Sequence, residues 1–302
     1  MGVAISIRNL HKIYANGTKA LNDVSFDIKE GEFFGLLGPN GSGKTTIINI
    51  LSGATRLTTG EVDICGCNIL KYPEKIKMLL GVVPQEVTFD SFFDVNEILN
   101  LQSGYYGIRN NQKKIDELLE RLSLKDKKYT NNRTLSGGMK RRLLIAKALV
   151  HNPKIFILDE PTAGVDVELR YGLWEYIKEL NKNGLTILLT THYLEEAENL
   201  CRKIAIINKG DLIALEKTKK LLKSMGDNKK MTLIFKEIVK SIPKEILPFN
   251  PQLKNDFEII INFEVNNLMT VFENLRPLST SLADINLEGQ SLEKIFINLT
   301  KK

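Results

Sequence analysis

The chain is poor in the residues that build disulfide scaffolds, metal clusters and membrane spans. Among its 302 residues are three cysteines, three histidines and one tryptophan. Apolar runs such as "IFIL" (155–158) and "LTILL" (185–189) are far shorter than the roughly 20 residues that cross a bilayer, so no membrane span is expected. An odd set of cysteines, Cys65, Cys67 and Cys201, excludes a disulfide framework and fits a reducing compartment. Cys65 and Cys67 have no second Cys or His pair at ligand spacing. The surrounding "EVDICGCNI" reads as strand, glycine turn, strand, with no metal site. The N-terminal "MGVAISIRNLHKIY" lacks the charged-then-apolar layout of a secretory signal. Gly2 and Ser6 fit an acylation pattern, but the alternation of apolar and polar residues makes the segment a strand start. A cytosolic location follows.

What is present is ordinary for a soluble globular chain: 43% hydrophobic and 26% charged residues, enough for one large domain or two moderate ones. A net charge of +6 raises the question of nucleic acid or an anionic lipid surface. The lysines gather at "KDKK" (125–128), "KTKKLLK" (217–223) and "NKK" (228–230), without the interleaved aromatics that stack on single-stranded bases. They read as a solvated face, compatible with a nearby anionic membrane.

Residues 1 to about 85 are strand-rich, with "AISIRNL", "VSFDI", "EFFGLLG" and "GVVPQ" bounded by turn residues. From about 86 to 150 the apolar spacing becomes helical, as in "DVNEILNLQSGYYG" and "KKIDELLERLSL". Strands return as "KIFILDEP", "TILLTTH" and "KIAIINKG", with helices at 167–182 and 193–200 between them. Apolar strands that alternate with helices predict an α/β core on a parallel sheet covered on both faces, with the helical stretch as an insert. The expected first domain is 1–215. Beyond a basic run, 216–302 reads as a small α+β domain: strands "MTLIFK", "FEIIINFEV" and "SLADINL", helices "NLMTVFENL" and "SLEKIFINL".

"GPNGSGKT", Gly38 to Thr45, fits G-x-x-x-x-G-K-[ST] and lies between an apolar strand and an apolar helix, the context that a phosphate loop requires. Backbone N–H groups of Gly38, Pro39, Asn40, Gly41, Ser42, Gly43, Lys44, Thr45 and Thr46, proline excepted, are available to converge on phosphates at the helix N-terminus. Lys44 supplies a point charge for the β- and γ-phosphates, and the Thr45 hydroxyl with Asp159, at the end of "IFILD", suits Mg²⁺. Successive residues of a strand point apart, so Glu160 is free for other work, as a general base or water-positioning group. His192, after "TILLTT", lies at the strand-end edge where such sheets bind ligands; His11 and His151 are read as structural. A second glycine pair beside basic residues, "LSGGMKRR" (135–142), is unexplained by a single phosphate cradle.

These motifs together resemble the ATP-binding cassette (ABC) ATPases, over about residues 3–215. "LSGG" is similar to the family signature, Tyr14 to the aromatic that stacks on adenine, Gln85 in "VVPQ" to the glutamine loop, which contributes to Mg²⁺ and catalysis, Asp166 in "AGVD" to the loop after the base, and His192 to the switch histidine. The resemblance implies ATP and Mg²⁺ as cofactors and a P-loop NTPase fold. It also implies a head-to-tail homodimer, or a heterodimer with a related ATPase. Each nucleotide would then lie between one phosphate loop and the partner's Ser136, Gly137 and Gly138. Met139 departs from the glutamine common at that position. "LSGGMKRRL" with "SLEKIF" (291–296) resembles single-cassette ATPases of type-two exporters. The expectation is therefore an ATPase held on the cytoplasmic side of a membrane by a separate permease, with "VTFDSFFD" (87–94) near the contact. A cassette acting on ribosomes or nucleic acid is the alternative; it would usually carry two cassettes or a long coiled coil, which this sequence lacks.

Overall fold

The computed structural model describes residues 2–86, 88–162, 167–223, 228–239, 241–288 and 292–300. Val87 of the apolar loop, Asp166, and Ser291 of "SLEKIF" lie outside the described residues. The alternating N-terminus forms β1 (Val3–Ile13), paired antiparallel with β2 (Lys19–Lys29). β3 (Phe33–Leu37) leads into α1 (Lys44–Leu51). β4 (Thr59–Ile64) and β5 (Cys67–Asn68) then complete an antiparallel sheet of order β2-β1-β4-β5. Cys65 and Gly66 form the two-residue hairpin loop, both at positive φ (48° and 73°), the combination that matches the twist of paired strands.

α2 (Pro73–Leu79) and β6 (Leu80–Val83) precede the helical stretch: α3 (Val95–Tyr105), α4 (Gln112–Arg121) and α5 (Gly137–Leu149). Asp94 and Glu97 make a reciprocal capping box at the start of α3, satisfying two end amides at once. On α4, Ile115, Leu118 and Leu119 are buried, the one-face pattern of a half-covered helix. The core resumes with β7 (Ile155–Asp159), α6 (Val167–Lys182), β8 (Thr186–Thr190), α7 (Leu194–Leu200), β9 (Lys203–Asn208) and β10 (Asp211–Lys217).

Among the described residues the central sheet has the order β10-β9-β3-β8-β7-β6. It is parallel from β9 to β6, and every residue of β3, β7 and β8 is buried, as expected of strands covered on both faces. The expected parallel core carries two antiparallel additions. β10 runs antiparallel to β9, because Lys209 and Gly210, at φ 50° and 87°, make a tight turn that leaves no room for a crossover. β1, β2, β4 and β5 form their own antiparallel sheet.

The chain divides into two compact units, Met1–Thr218 together with Leu299–Lys302, and Lys219–Asn298. The second contains β11 (Asn228–Phe235), β12 (Gln252–Asn255), β13 (Glu258–Glu264), α9 (Leu268–Leu275) and β14 (Leu282–Glu288), after α8 (Thr218–Lys223) and before α10 (Leu292–Thr300). Its antiparallel sheet, β12-β13-β11-β14, has its own core, with Met231, Leu233, Ile259 and Ile261 packed with Val271 and Leu275 of α9. No helix of the described residues is long and apolar enough to cross a membrane.

Close approach fixes Gly81 in β6, where an added Cβ would lie 2.2 Å from the Ala148 carbonyl oxygen of α5 and 2.9 Å from Pro153 Cγ. Gly81→Ala is expected to lower stability by about 1–3 kcal/mol through overpacking, seen as a lower urea midpoint; an unchanged midpoint would show that α5 yields at this contact.

Candidate active site

The loop after β3 is shaped by two contacts. A Cβ at Gly38 would meet the Ile207 carbonyl oxygen and Ser42 Oγ, both at 2.3 Å, so only glycine fits. Gly41 and Gly43 stand at φ 77° and 114°, where side chains are strained. Gly43 caps α1, whose first amides have no intrahelical acceptor. The Lys44 ammonium is buried and donates to the Gly38 and Pro39 carbonyl oxygens at 2.8 and 3.0 Å. Asn40 and Thr45 are exposed, and Thr46 Oγ1 lies 3.3 Å from the hydroxyl of half-buried Tyr14. Tyr14 therefore borders the phosphate loop, with the Lys12 ammonium 4.8 Å from its ring centroid.

The other predicted residues follow the neighbouring strands. Gln85 comes after β6, Asp159 ends β7, Glu160 follows it and His192 follows β8. Gln85 Nε2 donates to Glu160 Oε2 at 3.1 Å, and His192 Nδ1 lies 3.2 Å from the same oxygen. Three strand ends thus meet at one buried carboxylate. Asp159 accepts a hydrogen bond from Thr190 Oγ1. The divergence of the two carboxylates has a different cause from strand alternation: Glu160 adopts φ 49°, a left-handed conformation that turns its side chain away from the strand direction. Thr162, just beyond, donates to the buried Glu196, which also accepts from Trp174 Nε1 at 3.3 Å.

Electrostatics reflect this crowding. Burial pushes the Lys44 ammonium down, against the pull of Glu160 and Asp159. Burial also pushes Asp159 up, the Thr190 hydrogen bond opposing it and the Glu160 charge adding to it. Thr45, Gln85 and Asp159 line one cavity of about 690 Å³. Hydroxyl, amide and carboxylate oxygens suit a hard cation such as Mg²⁺, and a cation beside Asp159 with a polyanion beside Lys44 opposes both shifts. The residues present fit that pair.

Ser136, Gly137 and Gly138 belong to a different surface. Ser136 is exposed and caps α5, its Oγ accepting from the Met139 amide at 3.3 Å. Among the described residues no hydrogen bond joins this glycine pair to the phosphate loop. Its neighbourhood is instead the loop before α3. Asn132 Nδ2 donates to the Asp90 and Phe93 carbonyl oxygens, both at 2.7 Å, and Arg133 donates to Ser91 Oγ at 2.8 Å. His151 is structural, stacked on Tyr106 with ring centroids 3.7 Å apart and 3.0 Å from the Leu80 carbonyl oxygen.

One residue of this region is absent from the sequence-based set. Arg141 of α5 is 2% exposed and donates to the backbone around Gln85 and Glu160. Within "MKRR" it reads as a solvated charge. The available signal was its register with Leu144, Ile145 and Ala148, all buried on α5: it occupies the apolar stripe of the helix.

The ABC transporter family model matches residues 21–163. The linearmycin resistance ATP-binding protein LnrL of Bacillus subtilis (strain 168) is 33% identical, covering 98% of both chains. A Nod factor export ATP-binding protein I of Ralstonia nicotianae is 40% identical over 72% of this chain and 68% of its own length. Among solved structures, a dimeric ATP-binding cassette in a post-hydrolysis state with ADP and Pi matches with a TM-score of 0.66 at 29% identity, covering 71% of this chain and 98% of that one. None of these names supports the nucleic-acid alternative. Cassettes of this kind form dimers and work with transmembrane components. The chain belongs to the ABC transporter family, as an ATP-binding subunit that hydrolyses ATP.

Proposed function

We propose that this subunit powers an exporter, closing on ATP as a head-to-tail dimer beneath a separate permease at the cytoplasmic face of a membrane. The observation that carries the catalytic part is the convergence of Gln85 and His192 on Glu160 Oε2. The names of the relatives, drug resistance and Nod factor export, support the exporter direction. The unit Met1–Thr218 serves as the ATPase domain, with about 86–150 as its helical subdomain, and Lys219–Asn298 as an accessory domain.

Tyr14 stacks on the adenine. The loop from Gly38 to Thr46 wraps the phosphates with backbone amides, and the Lys44 ammonium moves from the loop's own carbonyl oxygens to the β- and γ-phosphates. Thr45, Gln85 and Asp159 would hold Mg²⁺, which would supply charge neutralisation at the phosphates. Glu160 orients the attacking water and accepts its proton as the bond from the γ-phosphorus to the leaving ADP oxygen breaks. Gln85 and His192 fix that carboxylate through one oxygen, leaving the other for water. The partner's Ser136, Gly137 and Gly138 complete the site at the γ-phosphate.

The permease surface is the loop 88–94 with α3. Phe92 and Tyr105 are each 82% exposed and Leu101 is 43% exposed, an apolar group unusual on a free surface. The contacts of Asn132 and Arg133 tie this loop to the segment that enters Ser136, so closure at the signature moves the permease contact.

Three outcomes test the reading. Glu160→Gln should bind ATP, lose about 10² to 10⁴ in turnover, or about 3 to 5 kcal/mol of barrier, and accumulate as an ATP-bound dimer on a sizing column; turnover near the parental rate would remove Glu160 from this role. Tyr14→Ala should weaken nucleotide binding by about 1 to 3 kcal/mol on the scale of base stacking, measured by fluorescent-nucleotide titration, whereas Tyr14→Phe should bind like the parent. Equal losses would assign the effect to the hydroxyl and Thr46. Mixing Gly138→Asp with Lys44→Ala chains should give an ATP-dependent heterodimer where neither dimerises alone, since one site then has an intact loop and an intact signature. No heterodimer at high concentration, with both chains folded and Gly138→Asp binding ATP, would count against the shared site.

A further inference from the structure

Among the described residues, Arg141 has no carboxylate in its hydrogen-bond shell. Its Nε donates to the Pro161 carbonyl oxygen at 2.9 Å. Nη1 donates to those of Pro84 and Gln85 at 2.6 and 3.0 Å. Nη2 donates to that of Asp159 at 2.6 Å and to that of Glu160. A guanidinium has five N–H donors in a fixed plane, and here each has one backbone acceptor. Three of the acceptors are successive, Asp159 to Pro161, and span the residue held at φ 49°. A left-handed glutamate is an unfavourable conformation, and three carbonyl dipoles turned to one point repel unless a cation lies among them. The other two acceptors belong to the loop whose amide holds Glu160 Oε2. One buried side chain therefore fixes the turn that carries the carboxylate and the loop that orients it, and bolts both to the helix that begins at Ser136.

We propose that Arg141 is a positioning residue for ATP hydrolysis, which sets Glu160 and Gln85 in register with the signature helix without touching nucleotide. The proposal rests on Glu160 as the water-orienting group. Lysine retains the charge, but three donors on one nitrogen cannot span five acceptors in a plane, so Arg141→Lys separates charge from geometry. Misplacement of about an ångström costs on the order of 10²-fold in rate.

The test uses the full chain with Arg141→Lys, Arg141→Met, Glu160→Gln and the Arg141→Lys, Glu160→Gln double variant, measuring kcat, fluorescent-ATP affinity and urea midpoint. Expected for Arg141→Lys is a loss of about 10²-fold in kcat with ATP affinity within about threefold of the parent, and no further loss in the double variant relative to Glu160→Gln alone. A purely structural role would instead lower the midpoint and leave kcat per folded, ATP-bound chain unchanged, which overturns the proposal. So do a parental kcat for Arg141→Lys or an additive loss in the double variant. If Arg141→Lys does not fold, Arg141→Met is read by the same criteria, and failure of both to fold makes Arg141 a fold determinant and overturns the positioning role. Parental turnover of Glu160→Gln alone overturns the underlying reading, whereas an inactive Glu160→Gln beside an active Arg141→Lys overturns only the role of Arg141.

Discussion

The catalytic unit depends on the parallel register of β3, β8, β7 and β6. Parallel strands end on the same edge, so the residues just after them must share one place. Gly38, Gln85, Asp159 with Glu160, and His192 are each at or within two residues of a strand end. Every residue of β3, β7 and β8 is buried, which excludes water from these strands and leaves the edge as the wet boundary where charge can collect. Buried strands also explain why the charges there are strained: Lys44 and Asp159 are both pushed toward neutrality by burial. A site with fixed opposite charges and little water stabilises a developing negative charge more strongly than solvent could.

Much of this was legible from local sequence, because the strands that build the edge are continuous apolar runs and the phosphate loop has a rigid spacing. "IFILD" and "TILLT" coincide with β7 and β8, and the helix at 167–182 matches α6. Pairing was less legible. β10 is a strand of half-buried residues whose direction is fixed by a two-residue turn, and the separate sheet of β1, β2, β4 and β5 is fixed by long-range register, neither of which is a property of one segment. The meeting of Gln85 and His192 at one oxygen of Glu160 could not be read from spacing, since it joins three loops. Arg141 was missed because a charge within a basic run reads as solvated unless the helical stripe behind it is counted.

The helical stretch has a mechanical logic that follows from its hydrogen bonds. Asn131 accepts from the Arg133 amide and donates to the Ser91 carbonyl oxygen at 3.2 Å, while Asn132 takes both Asp90 and Phe93. These are short polar side chains on backbone carbonyls, which resist extension more than an apolar contact would. The exposed Phe92 is thus carried on a loop hydrogen-bonded to the segment entering α5. At the other end of the same loop, Gln85 is tied to Glu160 directly and to Arg141 through its carbonyl oxygen. On the proposed reading, a displacement at the apolar loop would reach Glu160 through both of these ties.

The glycine pair at Gly137 and Gly138 completes the argument for two chains. Ser136 Oγ takes the Met139 amide, which leaves the amides of the two glycines, at the first positions of α5, without intrahelical acceptors. An added Cβ at Gly137 would meet nothing within 4 Å, so the glycine is not required by packing within the chain; it keeps an outward helix end open to close approach. Such an end favours an anion, and the phosphate loop is proposed to hold one. On the proposed reading each chain contributes two unlike half-sites, and a two-fold axis joins them into two equal whole ones. On that same reading dimerisation depends on the γ-phosphate that both halves contact, so loss of that phosphate would remove part of the interface.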